Sequence, residues 1–389
     1  MVSPAAKAKV EDLVKDAIRE AMEKKKSSMV PVSKLLTEIL LKEKIIDEPP
    51  LNPVLKGIPV PKEEVVPTPV KVVLKEEQKW FSDVLGITGI RDDIPISCFH
   101  SFPWHSSVAS FVPDVDFSYH IDRKMARNIL MAWELGEKVL CYGPTGTGKS
   151  SLIEQLCART GRPFIRINCT GDMDSSMIFG QLLAKEGSTF WVDGAVTEAV
   201  RHGAVFAWDE WDVTPPEISM GLQWLLEDNG KLFLKDMPGT AQDKMIIPHS
   251  HFRLVAIGNT QGQGDETGAH AGTNVQNSAT LDRFGTTVFI DYLDPAAEEL
   301  MLLGKCGKII NAIAAKELIK LANLIRTAYQ AGQLNLTMSP RTLLNICNKL
   351  NMNVALRDAF SLVYLNKLNP TQKKVADELF TKIYGKGAT

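Results

Sequence analysis

Tyr142-Gly143-Pro144-Thr145-Gly146-Thr147-Gly148-Lys149-Ser150-Ser151 follows the apolar run Val139-Leu140-Cys141 and precedes Leu152, Ile153, Leu156 and Cys157. The first run reads as a buried strand and the later set as the buried side of a helix, so the glycine-rich segment sits where a strand hands over to a helix. Gly143, Gly146 and Gly148 allow turns that other residues resist and bring backbone N–H groups against phosphate oxygens. Lys149 supplies a point charge for the β- and γ-phosphates, and Ser150 offers a hydroxyl to Mg2+. The helix that opens there points its positive end at the same anion. With Pro144, Thr145, Thr147 and Ser151 the segment forms a contiguous nucleotide-binding stretch, and ATP with Mg2+ is the expected ligand pair.

Outward from this loop, further apolar runs (138–142, 163–169, 204–208, 253–258 and 286–290) alternate with helical periodicity. That alternation predicts an α/β domain with a parallel sheet over 75–295. After Pro295 the pattern turns helical at about 297–305, 308–331, 340–351, 353–364 and 371–384, which predicts a small all-helical lid over 296–389. The run 204–208 ends in Asp209-Glu210. Asp209 is placed to hold Mg2+, through water, because Mg2+ keeps part of its hydration shell. Glu210 is placed to polarise an attacking water. Asn259 follows the run 253–258, at the strand end where open α/β sheets bind ligands, and is placed to orient that water. Arg283, in Leu281-Asp282-Arg283-Phe284, reads either as a cation at a helix C-terminus or as a finger reaching a neighbouring subunit's γ-phosphate. Arg341 follows Ser339-Pro340, a cap and a first helical residue. A cation is disfavoured in a first turn, and a nearby polyphosphate removes that penalty.

The remaining features bound the function. The 44 basic and 46 acidic residues give a net charge of −2 and a pI of 6.4, which speaks against a broad nucleic-acid-binding surface. No apolar run approaches the ~18 residues of a membrane span, and the acidic N-terminus is unlike a signal or transit peptide, so a cytoplasmic location is expected. Six cysteines (98, 141, 157, 169, 306 and 347) lack CxxC spacing and read as reduced packing residues. His249 and His251 stand two apart beside Pro248, and His100 and His105 flank Pro103-Trp104 with Cys98 nearby; neither group is completed to a metal site. Residues 3–26 carry Val10, Leu13, Val14, Ala17, Ile18, Ala21 and Met22 at helical spacing, and a second helix is expected over 33–46. This module, 1–46, reads either as a docking or oligomerisation element or as an amphipathic tail, and a proline-rich linker follows over 47–74.

The order of these elements resembles the AAA+ ATPases, and finer features resemble their MoxR/chelatase branch. They are Val112-Pro113-Asp114-Val115-Asp116, Arg166-Ile167-Asn168, Phe190-Trp191-Val192-Asp193-Gly194, Asp209-Glu210-Trp211-Asp212, Leu226-Glu227 and the hairpin-like stretch 231–247. The runs from His249 to Leu254 and from Gly258 to Asp265 belong with these branch features, and Asn259 to Asp265 with Gly268, Gly272 and Thr273 are most similar to the CobS family, the AAA+ subunit of aerobic cobaltochelatase. The resemblance implies a homo-oligomeric ring, a hexamer with ATP at each subunit boundary. It also implies a second ring subunit with an integrin-like metal-binding domain and a large chelatase subunit that inserts cobalt into a corrin. By the same resemblance 143–150 is Walker A, Asp209-Glu210 Walker B, Asn259 sensor 1, Arg283 the finger and Arg341 sensor 2. The insert near Trp191 and the 231–247 hairpin match elements that project from the core, where partner coupling is expected. A MoxR-type remodelling chaperone uses the same residues and is the alternative; a nucleic-acid motor is a weaker one.

Overall fold

Strands whose odd and even residues are both apolar must be buried on both faces. That is the pattern here. Val139 and Cys141, Val205 and Ala207, and Val255 and Ile257 pack into one core with two flanking helices. Leu140, Phe206 and Trp208, and Leu254 and Ala256 pack into a second core on the opposite face. The result is a sheet sandwiched between helical layers.

The computed structural model describes residues 78–88, 93–262 and 276–385, all within the compact unit Val73–Thr389. The expected helices at 3–26 and 33–46, the linker at 47–74, and Gly264, Asp265, Gly268, Gly272 and Thr273 lie outside the described residues. In chain order, β1 (Gln78–Trp80), α1 (Phe81–Leu85) and β2 (Pro95–Ser97) are followed by α2 (Ser106–Ala109), α3 (Arg123–Leu135), β3 (Val139–Tyr142) and α4 (Lys149–Thr160). Next come β4 (Phe164–Asn168), α5 (Ser175–Phe179), β5 (Gly180–Lys185), β6 (Ser188–Asp193) and α6 (Ala195–His202). Then β7 (Val205–Asp209), α7 (Pro216–Leu226), β8 (Leu232–Phe233), β9 (Met245–Ile246) and β10 (Arg253–Gly258) lead to α8 (Ser278–Leu281) and β11 (Thr286–Phe289). The chain continues in α9 (Pro295–Cys306), α10 (Ala312–Gln330), α11 (Pro340–Asn351), α12 (Leu356–Val363) and α13 (Pro370–Tyr384).

The central sheet has five strands in the order β11-β3-β10-β7-β4, and every neighbouring pair is parallel. This is the AAA+ type of α/β core with a helical region after it. Its register decides where function can sit. Gly258 pairs with Tyr142, and Ile257 with Asp209, so β3, β7 and β10 end level with one another. The loop after Tyr142, the carboxylates at the end of β7 and Asn259 after β10 therefore emerge along one sheet edge. The stretch around Phe190–Gly194 forms an antiparallel hairpin, β5 with β6, and the 231–247 stretch a shorter one, β8 with β9.

Helices α9 to α13 enclose a third core around Leu318, Leu321, Ile325, Leu343, Phe360 and Phe380. Two helix starts differ from the periodicity for local reasons. The helix expected from 308 begins at Ala312, because Asn311 caps it by accepting from the Ala314 N–H at 2.9 Å. The one expected from 353 begins at Leu356, because Asn353 takes a left-handed conformation (φ 58°) that a helix excludes.

Candidate functional site

The loop 143–148 is held tightly enough to leave no room for larger residues at two points. A Cβ on Gly143 would lie 2.1 Å from the Ile290 carbonyl oxygen. Gly146 (φ +80°) backs directly onto Ser339, where an added Cβ would stand 2.5 Å from the serine Cβ. Ser339 caps α11, accepting from the Thr342 N–H at 3.3 Å. The loop is thus packed against the start of the helix that carries Arg341.

Lys149 opens α4, and its ammonium donates to the carbonyls of Gly143 (2.8 Å) and Pro144 (2.9 Å) and to Asn259 Oδ1 (3.0 Å). Those are the three donors an ammonium has. Thr147 Oγ1 donates to the Pro144 carbonyl at 3.0 Å and Thr145 Oγ1 to Asn259 Oδ1 at 3.4 Å. Ser150 Oγ donates to Asp209 Oδ2 at 2.8 Å. Burial pushes Lys149 below its usual range, against the pull of Glu210, Asp209 and Asp212.

The strand β7 ends at Asp209, and Glu210 leaves it in a left-handed conformation (φ 54°, ψ 40°). For a residue with a side chain this costs on the order of 1–3 kcal/mol and is typically held at working sites. The turn directs the Glu210 carboxylate at Asn259, whose Nδ2 donates to Oε2 at 2.9 Å. Burial raises Glu210 above the usual carboxylate range, and Asp209 and Asp212 add to the rise; Lys149 and the Asn259 hydrogen bond oppose it. Asn259 therefore ties the base candidate to the phosphate-loop lysine through the two ends of one amide.

Two residues in this cluster carry roles the sequence reading did not give them. Asp212 is fully buried. Its Oδ2 accepts from the N–H groups of Asn259 (3.1 Å) and Thr260 (3.0 Å) and from Thr260 Oγ1 (2.9 Å), while Oδ1 has no partner. It fixes the turn that presents Asn259. Its charge also lifts Glu210. Asp212→Asn keeps an acceptor for the turn but removes that charge, so the acidic limb of an ATPase rate–pH profile is expected to move to lower pH. An unmoved limb would separate Asp212 from the titration of Glu210. The second residue is Arg166 on β4, which ion-pairs with Asp209 Oδ2 at 2.5 Å. The register of β4 against β7, with Arg166 opposite Ala207, puts it on the same sheet face as Asp209.

A cleft of about 280 Å3 borders the loop, lined by Tyr119, His120, Gly146, Ser151, Leu344 and Arg341. Arg341 is thus brought to the phosphate loop, as is Ser151. Lys305 of α9 closes the rim by pairing with Asp116 at 2.9 Å. Hydrogen bonds from Ser118 first, and from Lys305 second, hold Asp116 down at about 2. A second cleft, about 270 Å3, continues from Thr147 and Gly148 to Tyr292 and Asp294.

Arg283 is not brought to this edge. It precedes β11, whose Thr286 pairs with Val139 at the far end of β3. Four residues of strand (139–142) separate the two edges, about 13 Å at ~3.3 Å per residue. Its Nε donates to Glu227 Oε1 at 2.6 Å and its Nη1 to the Ala279 carbonyl at 2.7 Å. Within the chain, Arg283 makes the helix-end carbonyl contact that one of the two sequence readings gave it.

The donor set suits a hard cation and a polyphosphate. Ser150 and Asp209 offer oxygen ligands of the kind Mg2+ prefers. Among the described residues no cluster of three or more His, Cys, Asp or Glu side chains could hold another metal ion.

Residues 138–284 match the AAA domain (dynein-related subfamily), so the class of the protein is that of the AAA+ ATPases. The aerobic cobaltochelatase subunit CobS of Sinorhizobium sp is 31% identical over 310 residues, which span 78% of this chain and 90% of CobS. The chain belongs to this CobS-like family, in the MoxR branch of the AAA+ ATPases. NorQ of Paracoccus denitrificans (30% identical; 48% of this chain, 64% of NorQ) and CbbQ of Hydrogenophilus thermoluteolus (27%; 50% and 66%) are also similar.

Proposed function

We propose that this protein is the ATP-driven, ring-forming motor subunit of a cobaltochelatase, powering metal insertion by a partner subunit. The observation that carries the reading is the similarity to CobS over 90% of that protein. Phosphate binding at 143–151 replaces the carbonyl contacts of Lys149 with phosphate oxygens. Ser150 and Asp209 would hold Mg2+, which would supply positive charge to those oxygens. Glu210 accepts the proton of the attacking water, and Asn259 keeps the carboxylate aimed. Arg341 reaches the nucleotide from the lid. No described helix is long and apolar enough to cross a membrane.

Ring formation is supported by Arg283. Its place on the far sheet edge fits service to a neighbour's site and not its own. Arg283→Ala is expected to lower ATP turnover about a thousandfold while ATP affinity stays close to the parent's. Parental turnover in that variant would remove the finger assignment. Exposed apolar side chains support a protein partner. Met220 (66% exposed) and Trp224 (60%) stand with Phe179, Trp191 and Phe233 around a groove of about 290 Å3, between α7 and the two hairpins.

The test of the chelatase reading is complementation of a strain lacking its own aerobic cobaltochelatase AAA+ subunit. Restored cobalt insertion supports it. Failure despite good expression and ATPase activity favours the second reading, a MoxR-type remodelling chaperone, which the similarity to NorQ and CbbQ motivates.

A further inference from the structure

We propose that Arg166 is a built-in counter-ion for Asp209, holding the carboxylate until a divalent cation displaces it and so setting how strongly nucleotide binding depends on Mg2+. The inference rests on the reading of Asp209 as the Mg2+ residue.

Arg166 and Asp209 lie on neighbouring strands. Arg166 pairs in register with Ala207, two residues before Asp209, so both side chains share the sheet face that α4 covers. Strand β4 is the edge of the sheet. An edge position lets one end of a long side chain stay in solvent. Arg166 accordingly remains 47% exposed while Asp209 is 7% exposed. The guanidinium can leave; the carboxylate cannot.

The contact point is what matters. Arg166 Nη2 meets Asp209 Oδ2 at 2.5 Å, and Ser150 Oγ donates to the same oxygen at 2.8 Å. Asp209 Oδ1 accepts from the Glu210 N–H at 3.1 Å. A carboxylate oxygen has about two acceptor directions. On Oδ2 both are taken, so an ion or its bound water reaches that oxygen only when one donor withdraws. Ser150 is fixed on α4 beside the phosphate loop, whereas Arg166 is on a long, half-exposed side chain. Arginine also suits the role because it stays charged at all working pH values.

The surrounding charge gives the pair a purpose. Asp209, Glu210 and Asp212 crowd the same sheet edge, where Lys149 and Arg166 are cations that act on them. A polyphosphate arriving without its metal meets three carboxylates. Arg166 offsets one of them. Mg2+ must then compete with a cation already in place.

The experiment titrates a fluorescent ATP analogue against the full chain, first in EDTA and then with rising Mg2+. For Arg166→Gln, analogue affinity in EDTA is expected to fall roughly three- to tenfold, and the Mg2+ concentration giving half the metal-dependent gain to fall by a similar factor. Arg166→Lys keeps a charge on the same strand and should lie between parent and glutamine variant. Asp209→Asn should lose the Mg2+-dependent gain. If Arg166→Gln matches the parent in both measurements while Asp209→Asn loses the gain, the counter-ion role is overturned and the Asp209 reading stands. If Asp209→Asn keeps the full gain, the Asp209 reading falls and takes this inference with it.

Discussion

Glu210→Gln is expected to cut ATP turnover by about 10²–10⁴-fold while leaving ATP affinity nearly unchanged. The amide cannot accept a proton from water, but it keeps the size and the acceptor that Asn259 Nδ2 uses at 2.9 Å. Lys149, Ser150 and the loop carbonyls are untouched, so binding survives. Single-turnover hydrolysis and equilibrium nucleotide binding, measured on the same preparation, check the two halves. A loss of binding equal to the loss of turnover would make Glu210 structural. The parent enzyme should also lose activity on acidification sooner than an ordinary glutamate would dictate. A base must be ionised to work, and burial with Asp209 and Asp212 holds Glu210 above the usual range, so its carboxylate protonates at a higher pH.

The second large effect is on stability and lies in the lid. Glu298 is fully buried and makes a two-pronged pair with Arg326, Nη1 to Oε2 at 2.9 Å and Nη2 to Oε1 at 2.7 Å. Arg326 also donates from Nε to the Met338 carbonyl at 2.9 Å, and its guanidinium lies 4.1 Å from the centre of the Tyr292 ring. Glu298→Ala strands that guanidinium in the core. We expect a loss of about 3–5 kcal/mol, read by urea unfolding. The double variant Glu298→Met with Arg326→Met should lose far less than the sum of its parts, because two apolar side chains leave no charge unpaired. Additive losses would mean that the two residues act separately. The damage should reach the nucleotide site as well. Tyr292 Oη sits 3.0 Å from Thr337 Oγ1, and Met338 precedes Ser339, the cap that Gly146 touches. The pair thus steadies the segment through which α11 presents Arg341.

What the sequence made legible was local or periodic. The strand–loop–helix at Lys149 needs only ten consecutive residues (142–151) to be recognised. The two-sided apolar strands announced a covered parallel sheet, and level strand ends then brought Asp209, Glu210 and Asn259 together. What stayed hidden depends on which distant side chains meet. Glu298 reads as a solvated charge in a helix first turn, and its partner lies 28 positions away. Arg166 reads as the polar residue of a strand until the sheet order puts β4 beside β7. Asp212 reads as one more acid after a Walker B pair; only the fold shows its carboxylate gripping the backbone of Asn259 and Thr260.

If Arg283 serves a neighbour as proposed, its separation from the chain's own phosphate loop gives each molecule two unlike ends. Under the finger role proposed for Arg283, one end would accept a neighbour's arginine and the other would lend one. Copies joined this way associate head to tail, never face to face. A row of them always has one site at its end with no arginine to complete it, and one arginine at the other end with nothing to serve. On that proposal, closure into a circle would remove both defects at once and complete every site, which no open row can do.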